Sequence, residues 1–198
     1  PFQKSNNYKI MVSPVPKASY FWLNGFGGTD EDKGASIAMA KNSVGFYATG
    51  TFSDKIKIGN YSLTSGGRSD IFIARFDTDG NCIWAVNAGG PNDEVATGIT
   101  VDDNDNSYVS GTLRNGAKIG SMTFNTYSPD HPYSCVIKLN SKGLNPSVDL
   151  IGPIYPTPES EAWANKIGYS GGKVYLQGEY IGNIDKDNFR LDGRPAPN

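Results

Sequence analysis

Histidine is nearly missing from this chain: His131 is the one example in 198 residues. It lies between prolines in "SPDHPYS", where a loop position is the simplest assignment. One histidine and two cysteines leave no Cys/His metal cluster and no histidine-centred acid–base pair. Cys82 and Cys135 fall at non-equivalent places in the repeat pattern described below, so they read as small free residues and not as a disulfide. No apolar run approaches the roughly 20 residues of a membrane span. The net charge of −2 offers no basic patch for nucleic acid. Nucleophile-elbow and phosphate-cradling glycine patterns are missing too. The sequence therefore points to no catalytic residue, no metal ligand and no cofactor. It opens on Pro1 without a signal-peptide pattern, as a processed or excised piece would.

Glycine, proline and aromatics are plentiful instead: 24 Gly, 12 Pro and 12% Phe, Trp and Tyr, a balance that favours short strands joined by turns. The chain also repeats itself. "WLNGFGGTDEDKGASIAMAKNSVGFYATGTF" from Trp22 aligns with "WAVNAGGPNDEVATGITVDDNDNSYVSGTL" from Trp84 at a period of about 61 residues. A more degenerate third copy runs "ESEAWANKIGYSGGKVYLQGEY" over 159–180. Each unit reads as four strands, at roughly 34–41, 45–52, 70–77 and 82–88 in the first full copy. In "IFIARF", Ile71, Ile73 and Arg75 alternate with Phe72, Ala74 and Phe76. A tandem four-stranded antiparallel unit of this length predicts an all-β fold of β-propeller blades. The divisions are a partial blade 1–28, blades 29–90 and 91–152, and a partial blade 153–198, about three blades' worth of strands. That is fewer than the 4 to 8 of closed propellers, so the segment is expected to pack against further blades of the same or another chain.

"DIFIARFDTDGNCIW" (70–84), the following "GG" at 89–90 and the "Y-x-x-G-T-F" strand resemble SBBP repeats, a bacterial β-propeller repeat. The resemblance covers residues 20–113 well, 133–144 moderately and 159–191 weakly. It implies a propeller scaffold, an extracellular or bacterial cell-surface setting, and no particular enzyme activity.

"FDTDGN" raises a choice between a calcium loop and a hairpin turn. Its counterpart "LNSKGLN" (139–145) puts Lys142 where Asp79 stands but keeps the glycine, which favours a hairpin over 77–81 with Gly80 at positive φ. The pairs Gly27-Gly28 and Gly89-Gly90 are read the same way, as turns needing positive φ. Binding is expected on the face shared by the links between units and the long loops 53–69 and 114–132. There Glu31, Asp93 and Glu161 are equivalent acids, each six residues before a matched isoleucine. They suit either a cation or polyol site or acids that cap repeated turns. Tyr155 and Trp163 could offer an aromatic platform for a sugar or peptide, and Trp163 could equally pack between blades. The leading expectation is a non-catalytic module of a secreted or surface protein that takes a protein or glycan ligand on this loop face. A lectin-like propeller and part of a carboxylate-based glycosidase are the alternatives.

Overall fold

The computed structural model describes residues 25–125, 131–153, 161–181 and 189–190. Every regular element among them is a strand, so the chain is all-β as its composition predicts. The first repeat unit holds β1 (Asp32–Met39), β2 (Phe46–Phe52), β3 (Lys55–Ile58), β4 (Tyr61–Thr64), β5 (Asp70–Phe76) and β6 (Cys82–Gly89). The second holds β7 (Val95–Val101), β8 (Ser107–Leu113), β9 (Ala117–Ile119), β10 (Met122–Phe124), β11 (Tyr133–Leu139) and β12 (Ser147–Pro153). The third holds β13 (Glu161–Ser170), β14 (Lys173–Ile181) and β15 (Phe189–Arg190).

Strands β1-β2-β5-β6 form one antiparallel meander and β7-β8-β11-β12 a second, while β13 and β14 form a two-stranded sheet among the described residues. None of these sheets closes on itself. The stretches 53–69 and 114–132, expected as plain loops, each contain a short hairpin, β3–β4 and β9–β10. Alternation explains them: in "KIKI" both isoleucines are buried and both lysines exposed, the pattern of a half-buried strand. The second hairpin also crosses the expected boundary at residue 90. Its β9 hydrogen-bonds to β6 (Ala88 with Ile119, Gly89 with Lys118), extending the first sheet to six strands. The first hairpin makes the equivalent contact, Gly27 with Lys57. The end of β12 is likewise extended, by β15.

The alternation in β5 places its two faces in two separate cores. Ile71 and Ile73 join Tyr47 and Trp84 against Ile99, Val101, Val109 and Ile137 of the second sheet. Phe72, Ala74 and Phe76 join Ala48 and Phe52 under Ile56 and Ile58 of the β3–β4 hairpin. Full burial of one such side chain is worth about 1.5–3 kcal/mol, so both faces of this strand stabilise the fold. The first strands lie next to one another, β7 packing on β1 and β2, and β13 on β7 and β8.

The repeat is written in the register as well. Each first strand carries a bulge at the same step, between Gly34 and Ser36, Ala96 and Gly98, and Ala164 and Lys166. A glycine of the second strand faces each bulge. A Cβ on Gly50 would lie 2.0 Å from the Lys33 carbonyl oxygen, on Gly111 2.2 Å from that of Val95, and on Gly178 2.2 Å from that of Trp163. Only glycine fits that approach, which is why "Y-x-x-G" recurs at the centre of all three second strands. The small first-strand residues are less uniform: Ala96 and Ala164 are buried, whereas Gly34 has open space around it.

Candidate binding surface

The sheets have two ends. One carries the links between units and the two hairpins, and the other carries the tight turns within each unit. At the link end the paired glycines are required by crowding, not by positive φ, since their φ values lie outside the left-handed region. A Cβ on Gly28 would sit 1.8 Å from the Lys55 carbonyl oxygen. One on Gly89 would sit 2.1 Å from the Asp70 carboxyl carbon. The hairpin crosses at Gly28 and the start of β5 at Gly89, and a side chain would block either approach.

The acid that holds each link is one residue beyond the one singled out by pattern. Asp32 accepts the Gly28 N–H at 2.6 Å, and its repeat counterpart Glu94 accepts the Gly90 N–H at 2.8 Å. In both copies the second carboxylate oxygen is buried without a hydrogen bond of good geometry, although the Arg114 backbone lies near enough to Glu94 to favour its charge. Glu94 is fully buried, and its main chain is tied to Ser69 by the bond from its own N–H at 2.9 Å. Burial pushes the Glu94 carboxyl up to about 7, despite the Gly90 N–H, with Asp70 nearby adding to the rise. Asp70 is itself fully buried and raised by burial, although Asn87 and the Gly66 N–H donate to it.

The five residues expected to form a site divide differently. Glu31 is exposed and pairs with Lys33 at 2.9 Å. Asp93 pairs with Arg68 at 3.4 Å and forms a bridge with Ser69. Exposed pairs of this kind are worth about 0–1 kcal/mol, so they leave both acids accessible. Glu161 opens β13 opposite Ile181, and Trp163 is half-buried on that strand opposite Glu179. Tyr155 lies outside the described residues, as does the Glu161 side chain.

At the turn end one device recurs. Asp77 accepts N–H bonds from Asp79 (2.9 Å) and Asn81 (2.8 Å), with Gly80 at φ 79°. Asp102 accepts from Asn104 and Asn106, each at 2.9 Å, with Asp105 at φ 61°. Asn140 accepts from Lys142 and Leu144, each at 2.9 Å, with Gly143 at φ 73°. The side-chain oxygen thus organises the turn, and "FDTDGN" is the 77–81 hairpin between β5 and β6. Bonds from the Asn81 side chain and backbone hold the Asp77 carboxyl below its ordinary value.

These turns also fasten one unit to the next, which sequence patterns did not reveal. Asp105 takes N–H bonds from Lys41 (2.7 Å) and Asn42 (3.0 Å) and a hydroxyl bond from Ser43. Its carbonyl accepts the Tyr47 hydroxyl at 2.9 Å. The Ser141 carbonyl accepts from Trp84 Nε1 at 3.0 Å and from Arg75 at 3.1 Å. Three copies meet where Lys41 lies 3.6 Å from Asp103 and 4.2 Å from the Tyr169 ring centre, while the Tyr169 hydroxyl donates to Asp103 at 3.1 Å. The run "DDNDN" (102–106) was the available signal, because it combines the turn acid with an exposed acid beside it. Between β5, β6 and the first hairpin, a 240 Å³ cleft is lined by Phe26, Asn60, Phe76, Asn81 and Cys82. Burial pushes the Cys82 thiol up to about 11, so it is no ready nucleophile. Searches of protein-family models and of curated proteins return no match for this chain.

Proposed function

We propose that the chain is a β-propeller segment of the SBBP-like type, a non-catalytic binding module of a secreted or surface protein that takes a protein ligand on the link-end loops. The observation that carries this reading is the side-by-side placement of three first strands, each with the same bulge and the same facing glycine. Blades radiating from adjacent first strands give that arrangement. The loop ends are then free to vary over a rigid scaffold. The accessible acids Glu31 and Asp93 and the exposed Arg68 belong to that end.

The test is binding of the labelled protein to arrays of extracellular proteins and of glycans. A second sample carries Gly-Ser replacements at 30–31, 68 and 92–93. Protein spots bound by the wild type and lost in the replaced sample support the reading. Glycan spots lost in the same way would shift it to a lectin, and binding unchanged by the replacements would remove the loop end from consideration.

A further inference from the structure

We propose that this chain self-associates head to tail, the β1 face bearing Ile37 and Met39 in one copy seating on the β13–β14 face bearing Tyr175 and Trp163 in a second copy. The inference rests on the stacking of units in the reading above and not on any loop ligand.

The chain already builds one such interface, between its first and second sheets. Ile37 and Met39 follow the β1 bulge and face Ala48 and Phe46. Ile99 and Val101 follow the β7 bulge and face Val109 and Ser107. The latter pair is 5% and 1% exposed, buried against Tyr47, Ile71, Ile73 and Trp84 of the preceding sheet. Ile37 and Met39, at the same positions one unit earlier, are 68% and 65% exposed. Their face continues through the stacked rings of Phe46 and Phe76 to Phe26, itself 39% exposed.

The far end shows the opposite half. Tyr47 opens the "Y-x-x-G" of β2, is fully buried, and donates its hydroxyl to Asp105 of the following unit. Tyr175 opens the same pattern in β14 and is 56% exposed. Alternation along β14 puts Gln177 and Glu179 on its face, and Trp163 stands opposite Glu179. Glu179 occupies the place of Thr51, whose hydroxyl accepts the Ala96 N–H across the internal interface at 3.2 Å. The same geometry between two copies sets Glu179 against the Gly34 N–H, the counterpart of that of Ala96. One end of the chain therefore presents what the second sheet buries, and the other what the first sheet buries. Such an interface is heterologous, joining two different patches.

Sedimentation velocity and native mass measurement over about 1–100 μM, the usual range for modest affinities, test it on the full chain. The wild type should form dimers and higher species as concentration rises. Ile37→Lys and Tyr175→Lys should each be monomeric, with apparent Kd raised on the order of 100-fold by an unpaired buried charge. Mixed together they should form a 1:1 heterodimer and stop there, because each keeps the half that the other lacks. Met39→Lys serves in place of Ile37→Lys if that variant loses cooperative unfolding. A monomeric wild type across the range would overturn the proposal. Association unaffected by both variants, or a mixture that stays monomeric, would overturn it as well. Array binding retained by a monomeric protein would leave the loop-end reading standing, so the two failures are distinguishable.

Discussion

Replacing Glu94 with glutamine should stabilise the protein above neutral pH and change little below pH 5. The side chain is fully buried, one oxygen accepts the Gly90 N–H, and the other has only the Arg114 backbone nearby, without a hydrogen bond of good geometry. Burial pushes its carboxyl up from the ordinary 4.5 to about 7. The folded state therefore holds the proton more tightly than the unfolded chain does. The resulting stabilisation is fully present below the unfolded value and is lost as pH rises through about 7. At about 1.4 kcal/mol per pH unit the full gap corresponds to about 3 kcal/mol, an upper bound because the site relaxes around a charge. Glutamine keeps an oxygen for Gly90 and removes the ionisation, so its advantage over wild type should grow by about 1–3 kcal/mol between pH 5 and 8. Urea unfolding of both proteins at pH 5, 6, 7 and 8 measures it. Asp70 titrates in both proteins, and because its charge adds to the Glu94 rise, the difference between the curves includes that coupling. Stability curves that run parallel with pH would refute the reasoning, as would a variant less stable than wild type at pH 8.

Two further outcomes follow from the turns and bulges. Gly50→Ala and Gly111→Ala should each lower stability by about 1–3 kcal/mol, the cost of overpacking, since the added Cβ meets a carbonyl oxygen of the first strand; thermal unfolding checks this, and a neutral result would mean the bulge yields. Asp102→Ala should cost about 1–3 kcal/mol and Asp102→Asn less, because the amide oxygen still accepts N–H bonds. Burial alone would raise the Asp102 carboxyl, but the bonds from Asn106, Asn104 and Tyr108 win and hold it below its ordinary value. Its contribution is thus present above the unfolded carboxyl value and lost as pH falls, so the alanine deficit should shrink below about pH 4.

Side-chain alternation carried much of this fold in plain view. "IFIARF" told which of its residues share a face, and the two faces do enter different cores. Gly80 and Gly143 were legible at their turns because glycine takes the left-handed conformation most readily, although Asp105 fills that place in the 102–106 turn. The hairpins at 55–64 and 117–124 were harder, because strands of three or four residues barely establish a period. Gly28 and Gly89 misled for a physical reason: a glycine can serve backbone freedom or closeness, and only the partner's position tells which. The same holds for Asp32 and Glu94, adjacent to the exposed acids and identical in chemistry. Burial separates them, and burial depends on the Gly-Gly strand end folding back beneath the neighbouring hairpin. Contacts such as Lys41 with Asp103 and Tyr169 join residues from three copies, and beyond the acid-rich run 102–106 no local pattern points to them.

The loan of β9 and β10 to the outer edge of β6 has a consequence for the order in which the chain becomes structured. Synthesis proceeds from the N-terminus, so β6 is complete before the hairpin that covers its edge exists. Roughly 30 residues separate the end of β6 from the start of β9, a delay of a few seconds at about 5–20 residues per second. During that interval the first sheet shows an open strand edge, the surface most prone to pairing with a neighbouring nascent chain. Each unit is finished by its successor, so the growing chain always trails one unprotected edge, and its safety rests on the pace of translation as well as on the final packing.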